Sequence, residues 1–217
     1  PNLEGNSEIQ HLFQLKTINY PFVLLEDIKG IQANVVTIDN VRAIKKVVKY
    51  LIDNGHEKIV HFTGPRSSSH TIERIEGFRH AFSERTLVFN DNMIVEIGSS
   101  YEESYAKSLE YFKNMDPKDY PTAVVCFNDM QALSILLVLE KLGIKVPDDI
   151  SVIGNDDIYY AQIYPVPLST IRAPQKEIGR MAAEILIDNI ESKDLLPVQK
   201  IILDTELVIR KSSRTIK

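Results

Sequence analysis

Apolar and polar positions follow two different periodicities along the chain, and together they predict strands and helices in turn. Short runs rich in Val and Ile have the length and composition of buried strands. Between most of these runs, apolar residues recur every three to four positions, as they do on one face of an amphipathic helix. The predicted strands are Pro21–Leu25, Val35–Ile38, Ile59–Phe62, Met93–Ile97, Ala123–Phe127 and Ile150–Ile153.

The helical segments between these strands are most clearly marked after the second strand. There the polar pair Asp39–Asn40 predicts an N-terminal cap, and Gly55 predicts the helix end. Because parallel strands need crossover connections, alternation of this kind predicts an α/β fold with parallel sheets flanked by helices. The apolar positions at helical spacing are Val41, Ile44, Val48 and Leu51; Ile72, Ile75, Phe78 and Phe82; Tyr101, Tyr105, Leu109 and Phe112; and Leu133, Leu136 and Leu137.

The last quarter of the chain departs from this alternation. The stretch "PVPLSTIRAPQKEIGRMAAEILIDNI" predicts an extended passage bounded by prolines and then one helix. After it, "KIILDTELVIRKSS" predicts two strands around Asp204–Thr205. A length of 217 residues allows one large domain or two lobes that share a hinge.

Composition narrows the class of protein. With 25 Lys and Arg against 30 Asp and Glu, the net charge is −5, and no basic stripe marks a nucleic-acid footprint. A single cysteine, Cys126, excludes an internal disulfide framework and a cysteine-based metal cluster, and it suits a reducing cytoplasm. The sequence has no stretch of about 18 apolar residues, which is the length that would predict a membrane-spanning helix. The first residues read like the middle of a fold, so we expect residues upstream of Pro1 to be missing.

Polar segments follow three of the predicted strands, and this is where ligands bind in open parallel sheets. The first is "TGPRSSSHTIERIEGF" after Ile59–Phe62, the second is "FND" after Ala123–Cys126, and the third is "GNDD" after Ile150–Ile153. Since the carboxyl ends of parallel strands share one edge, we expect the three segments to open on the same side of one sheet.

The residue types in these segments match a sugar. The carboxylate of Asp156 can accept hydrogen bonds from neighbouring hydroxyls, the guanidinium of Arg74 offers a fork of donors, and the amide of Asn128 both donates and accepts. Sugar hydroxyls also give and receive hydrogen bonds. The histidines have no metal-ligand spacing and "GPRSSSH" lacks the pattern of a phosphate loop, so we expect neither a metal nor a cofactor.

Each of these acids and bases also has a structural interpretation. Asp157, at a strand-to-helix turn, is expected to cap the next backbone amides, and Asp129 to cap the helix that it opens. Arg74 lies off the predicted apolar face of its helix, where an exposed arginine often has no role. His70 is a lone imidazole, for which a role in the loop or in support of a ligand contact is the simpler interpretation.

Six segments together resemble a known family in the correct order along nearly the whole chain. They are "GHEKIVHFTG", "RIEGF", "TAVVCFNDMQAL", "GIKVPDDISVIGNDD", "LSTIRAPQKEIGRMAAEIL" and "TELVIRKSS". The chain resembles the effector-binding core of LacI/GalR-type bacterial repressors. Within that family, "DDIYYAQI" and the overall spacing are most similar to the arabinose-responsive (AraR-like) repressors, which join such a core to a GntR-type winged-helix DNA-binding domain.

The resemblance implies two lobes like those of periplasmic sugar-binding proteins, with three hinge crossings. Mapped onto this sequence, the crossings fall near Ile38–Asp39, Ser169–Ile171 and Pro197–Lys200. The first lobe then comprises residues 1–38 and 171–197, without its N-terminal part, and the second comprises residues 39–170 and 198–217. The resemblance also implies that effector binds Arg74, Asn128 and Asp156. His70 and Ala173 are added as candidates, with Arg172 and the backbone near Ala173 as partners from the first lobe. Asn155 stands where many relatives carry an aromatic residue.

The function that the resemblance implies is a cytoplasmic sugar sensor in a transcriptional repressor. A pentose, with L-arabinose as the candidate, would bind in the interlobe cleft and change the affinity for operator DNA, which a domain absent from this chain would bind. We also expect a homodimer through outward helices, because "LSILLVLEKL" is apolar nearly all round. A sugar-binding protein of a transport system is the alternative. An enzyme is disfavoured, because Asp156 and Asp157 are adjacent and make a poor acid/base pair.

Overall fold

The computed structural model describes residues 9–28, 30–192, 194 and 196–216, which fall into two compact units. The first unit draws on Pro1–Asp39 and Ala173–Thr205, and the second on Asn40–Arg172 and Glu206–Lys217. The chain therefore passes from one unit to the other after Asp39, after Arg172 and after Thr205.

The secondary structure follows the predicted alternation. The helices are α1 (Gln10–Thr17), α2 (Asn40–Asp53), α3 (Ser69–Glu84), α4 (Tyr101–Lys113), α5 (Asp129–Lys141), α6 (Tyr159–Ile163) and α7 (Gln175–Glu191), with short 3-10 turns at Asp91–Met93 and Pro117–Asp119. The strands are β1 (Val23–Leu24), β2 (Asn34–Ile38), β3 (Ile59–Thr63), β4 (Ile94–Glu96), β5 (Ala123–Cys126), β6 (Ser151–Asn155), β7 (Ser169–Arg172), β8 (Lys200–Leu203) and β9 (Glu206–Val208).

The first unit contains a parallel sheet with the strand order β1-β2-β8. Its buried core includes Leu12, Leu24, Ile31 and Val35. Strand β8 pairs with β2 from Val35 opposite Lys200 to Ile38 opposite Leu203. This pairing explains why the third boundary between the units comes later in the chain than the crossing expected near Pro197–Lys200, and why β8 belongs to the first unit.

The second unit is built on a six-stranded sheet with the order β4-β3-β5-β6-β7-β9, parallel except for the antiparallel pair of β7 and β9. Alternate residues of each central strand face opposite layers, as the pleat requires. Phe62, Val124 and Val152 pack into one core cluster with residues of α4 and α5. Ile59 and Val125 pack into the other with α2 and α3. Helices on both faces confirm the predicted α/β class. Within the described residues, every helix is too short or too polar to span a membrane.

Candidate functional site

The candidate site lies in the second unit, where β3, β5 and β6 end and α2 and α3 begin. Arg74 and Asp156 are close enough for their charges to act on each other, and His70 acts in the same way on Asp156. The structure therefore brings together three predicted site residues from two segments that are about eighty residues apart in sequence. The strand-end argument predicted this proximity, because the ends of parallel strands share one edge, and the role of the three residues in effector binding stays a prediction.

Arg74 is buried, with only 7% of its surface exposed. Its Nε donates to Asn40 Oδ1 at 3.2 Å, and its Nη1 donates to the backbone carbonyl of Phe127. The guanidinium carbon lies 4.5 Å from the centre of the Phe127 ring. The expectation of an exposed arginine was wrong, because the buried face of α3 runs through Thr71 and Arg74 while Ile72 is exposed.

Gly77 explains why α2 comes so close to Arg74. A Cβ at this position would overlap the backbone carbonyl of Val41, so only glycine allows this approach of the two helices. The approach brings Asn40, the first residue of α2, next to the first turns of α3. The "RIEGF" motif therefore supplies both the arginine and the small residue that lets a partner reach it.

Asn40 connects three polar side chains of the site. Its amide nitrogen donates to Glu73 Oε2 at 2.8 Å and lies 3.2 Å from His70 Nδ1, while its oxygen accepts the bond from Arg74. The sequence marked Asn40 only as a helix cap. The signal that could have identified it is the same strand-end position that marked the other candidates, because it follows β2.

Asp156 sits in an unusual turn after β6. The backbone angle φ is 126° at Asp156 and 54° at Asp157, and residues other than glycine rarely adopt positive φ. The Asp156 amide donates to the carbonyl of Ile171 at 2.8 Å, and Asn155 Nδ2 donates to Asp156 Oδ1 at 2.7 Å. Burial raises the pKa of the Asp156 carboxyl, and the Arg74 guanidinium opposes this rise. Asn155 thus holds the Asp156 carboxylate through its side-chain amide.

Asp157 has a different partner set from the one expected. Its carboxylate accepts from Arg172 Nε and from Arg210 Nη2, each at 2.6 Å, and the side chain is only 4% exposed. Arg172 also pairs with Glu206 at 3.0 Å. The expectation that Asp157 caps backbone amides was therefore wrong. Arg172, expected as a partner from the first lobe, belongs to the second unit and is already ion-paired.

Asn128 has the capping role that the sequence suggested for Asp129. The N-cap of α5 is Asn128, whose oxygen accepts from the Gln131 amide at 2.7 Å, and whose nitrogen donates to the carbonyl of Ser99 at 3.3 Å. Asp129 is not the cap, and its carboxylate bonds elsewhere. An amide oxygen has two lone pairs and the nitrogen two hydrogens, so Asn128 keeps capacity for an effector.

Ala173, the remaining candidate, is the residue at which the chain enters the first unit. Its carbonyl accepts from the Gln175 amide at 2.8 Å, at the start of α7. The assignment of Ala173 as an effector contact stays a prediction. Among the described residues there is no group of three or more His, Cys, Asp or Glu side chains arranged to hold a metal ion.

The fold is that of an α/β protein with two units, each built on a mainly parallel sheet. A model of the periplasmic binding protein-like domain matches residues 48–213, and the chain belongs to that family. A LacI-type transcriptional regulator from Bacillus cereus subsp. cytotoxis has a similar structure, with a TM-score of 0.85 and 27% identity over 99% of this chain and 74% of that one. The regulator CelR in complex with cellobiose gives a TM-score of 0.82 and 27% identity, covering 91% of this chain and 60% of that chain.

Among curated proteins, the chain is similar to transcriptional repressors. The HTH-type transcriptional repressor PurR of Photobacterium profundum is 39% identical over 165 residues, which are 76% of this chain and 48% of that repressor. PurR of Vibrio parahaemolyticus is 42% identical over 146 residues, 67% of this chain and 43% of that one. The chain thus spans less than half the length of these relatives and corresponds to the effector-binding domain of a LacI-family repressor. None of the relatives named here is an arabinose-responsive repressor, so that closer resemblance gains no support.

Proposed function

We propose that this chain is the sensor of a transcriptional repressor and that its effector is a small polyhydroxylated molecule bound by Arg74 and Asp156. The observation that carries the proposal is that the buried guanidinium of Arg74 lies close enough to the partly buried carboxylate of Asp156, at the carboxyl edge of the sheet, for their charges to interact. Asn40 and the Phe127 carbonyl use two of the donors of Arg74 and so fix the plane of the guanidinium. A guanidinium held in a fixed plane next to a carboxylate suits two adjacent hydroxyl groups of a ligand, because a hydroxyl both accepts and donates hydrogen bonds.

The chemical class of the effector follows from this pairing. Opposite charges and several amides, rather than an excess of one sign, favour a neutral ligand that has both donors and acceptors. We propose a sugar, with the pentose L-arabinose as the first candidate because of the "DDIYYAQI" segment. The second candidate is a purine base, because the curated relatives named above are PurR repressors. The cellobiose complex of CelR supports the sugar class.

Calorimetry separates these effector classes. L-Arabinose, D-ribose, cellobiose and hypoxanthine would be titrated into the protein with its complete sensor domain, and into its Asp156→Asn and Asp116→Asn variants. Asp116 is a matched control, because it is an exposed aspartate that accepts only local bonds from Lys118. Binding of a sugar that is lost in Asp156→Asn and kept in Asp116→Asn supports the proposal. Binding of hypoxanthine alone would replace the sugar by a purine.

We further propose that the full protein acts as a cytoplasmic homodimer that binds operator DNA through another domain. The support for operator binding is that the relatives named above are transcriptional regulators; the homodimer is proposed from the apolar character of α5. The remaining alternative is a transport protein with the same fold. A gel-shift titration of operator fragments with the full protein, with and without the bound sugar, distinguishes the two, because a transport protein would leave DNA mobility unchanged.

A further inference from the structure

Among the residues of the second unit that the structure describes, Asp129 is the one acidic residue that is completely buried and unused by the proposed effector site. Its residue is 0% exposed, yet it lies directly after Asn128 at the start of α5. Since Asn128 caps the helix, the carboxylate of Asp129 is not needed there. A buried carboxylate is costly unless it is bonded, so its partners indicate its role.

The two oxygens of Asp129 bind two different elements. Oδ1 accepts from the hydroxyl of Thr170 in β7 at 2.6 Å, and Oδ2 accepts from the backbone amide of Ile158 at 2.9 Å. One carboxylate thus links the start of α5, the strand β7 and the turn that follows β6. Both donors are neutral, so the bonds fix geometry without neutralising the charge.

Gly154 makes room for this carboxylate. A Cβ at Gly154 would overlap Asp129 Oδ1 and would lie 2.8 Å from Cδ2 of Leu168. The φ of Gly154 is not in the left-handed region, so the glycine is required for the close approach and not for its backbone conformation. The "IGNDD" segment therefore provides both the turn and the space for the group that holds it.

The turn held in this way carries Asp156. Both Asp156 and Asp157 have positive φ, and such backbone persists only where the surroundings hold it. The amide of Asp156 is bonded to the carbonyl of Ile171 on one side of the turn, and the amide of Ile158 is bonded to Asp129 on the other. These two bonds hold the two sides of the turn that carries the Asp156 carboxylate.

We propose that Asp129 is a positioning residue, which fixes the Asp156 carboxylate for the effector by holding the Ile158 amide. The expected effect of Asp129 on effector affinity rests on the proposed function, whereas its expected effect on the turn at residues 156–158 does not. Asp129→Asn is the informative substitution, because the amide keeps the size of the carboxylate while it loses the charge and one of the two acceptors.

Amide hydrogen exchange of the effector-free protein tests the structural step. In Asp129→Asn we expect the amides of residues 156–158 to exchange at least about tenfold faster, because a hydrogen bond to a charged group is lost or weakened. The core amides of α2 should keep their protection. Equal loss of protection in α2 and in the turn, or no change in the turn, would overturn the proposal. Should Asp129→Asn not fold, Asp129→Ala, which removes both acceptor oxygens, provides the same comparison, and Thr170→Val, which keeps the bond from Ile158 to Oδ2, is its control and should leave the turn protected.

A double-mutant cycle with L-arabinose as the probe tests the binding step. If Asp129 acts through Asp156, Asp129→Asn weakens binding about tenfold or more in the wild-type background and leaves the residual affinity unchanged in the Asp156→Asn background. A general loosening of the unit would weaken binding equally in both backgrounds and would contradict the positioning role. Absence of arabinose binding to the wild type counts against the proposed effector, and the exchange experiment then decides on Asp129 independently.

Discussion

Arg74 and Phe127 are joined twice, once through the backbone and once through the aromatic ring. The guanidinium donates to the Phe127 carbonyl and its carbon lies 4.5 Å from the centre of the same ring. Burial lowers the pKa of Arg74, and the charges of Asp156 and Glu73 oppose this change, so the side chain remains a cation. Phe127, in the β5–α5 loop, therefore helps Asn40 to fix the plane of the guanidinium and also provides the ring on which the guanidinium lies.

Removal of the Arg74 guanidinium should abolish most of the effector affinity. For Arg74→Ala we expect a loss of about 1.5 to 3 kcal/mol, the scale of hydrogen bonds to charged groups. The measurement is calorimetry with the sugar that binds the wild type, with the fold checked by circular dichroism. Arg79→Ala is the matched control, because Arg79 lies on the same helix over Phe89 and pairs with Asp91 at the surface. Unchanged affinity in folded Arg74→Ala would refute the site.

The carboxylate of Asp157 should contribute to stability rather than to binding. Asp157→Ala leaves Arg210, whose side chain is 15% exposed, without its partner, and Arg172 loses one of two. We expect a loss of about 2 to 3 kcal/mol in the free energy of unfolding, less than for a fully buried pair because Arg172 is half exposed. Urea titration of the wild type and of Asp157→Ala measures this difference in the free energy of unfolding. Asp91→Ala, at an exposed pair, should cost under about 0.5 kcal/mol, and an equal cost for both substitutions would contradict this account.

Asp129 should make stability depend on pH. Burial raises its pKa from 3.8 to about 6, while the bonds from Thr170 and Ile158 act in the opposite direction. The folded protein then holds this proton more tightly than the unfolded chain, so the contribution is present below pH 3.8 and is lost as the pH rises towards 6. Two pKa units correspond to about 3 kcal/mol. The difference between wild type and Asp129→Asn in urea titrations from pH 4 to 7 measures it, and a difference that is flat with pH would be contrary to the prediction.

Dimer formation should depend on the part of α5 that the second unit leaves uncovered. Most apolar residues of α5 are buried in the core of that unit, while Met130 is 42% and Leu137 37% exposed. Nearby, a cavity of about 390 Å³ is lined by residues that include Leu136, Tyr164 and Val166. We expect the complete sensor domain to sediment as a dimer at micromolar concentration and Leu137→Asp to sediment as a monomer.

The control for this prediction is Val88→Asp, at a residue that is 84% exposed outside the helices. This variant should sediment like the wild type. A monomeric wild type, or a Leu137→Asp variant that remains dimeric, would show that the exposed side of α5 is not the interface.

The sequence predicted the alternation of strands and helices, because a buried parallel strand and an amphipathic helix each have a distinctive periodicity. It also predicted that the polar residues after these strands lie close together, since polar residues at strand ends share an edge. It failed for α3, where the apolar residues Ile72 and Ile75 suggested a face that excluded Arg74. The buried face is instead set by Gly77, whose contact with Val41 is a tertiary feature without a local signal.

The sequence also could not assign roles to four polar residues that follow strands β5 and β6, namely Asn128, Asp129, Asp156 and Asp157. Asn128 and Asp129 are equally good caps by propensity, and only the position of Gly154 and Thr170 shows which of them faces inward. Likewise, the basic partners of Asp157 come from β7 and from a segment some fifty residues further along the chain. Partners at such sequence separations leave no periodic pattern, so the division of roles between Asp156 and Asp157 required the structure.

Effector and operator should be coupled in the full protein by a measurable factor. If the sensor signals to DNA, the sugar changes operator affinity by about 1 to 3 kcal/mol, and by reciprocity operator DNA changes sugar affinity by the same factor. Titration of the sugar into the full protein with and without operator measures one side of this linkage, and a gel shift at saturating sugar measures the other. In Asp156→Asn both changes should disappear together, because the coupling can be no larger than the differential affinity of the ligand. Equal sugar affinities in the two titrations of the wild type would mean that this domain binds sugar without reporting it to DNA.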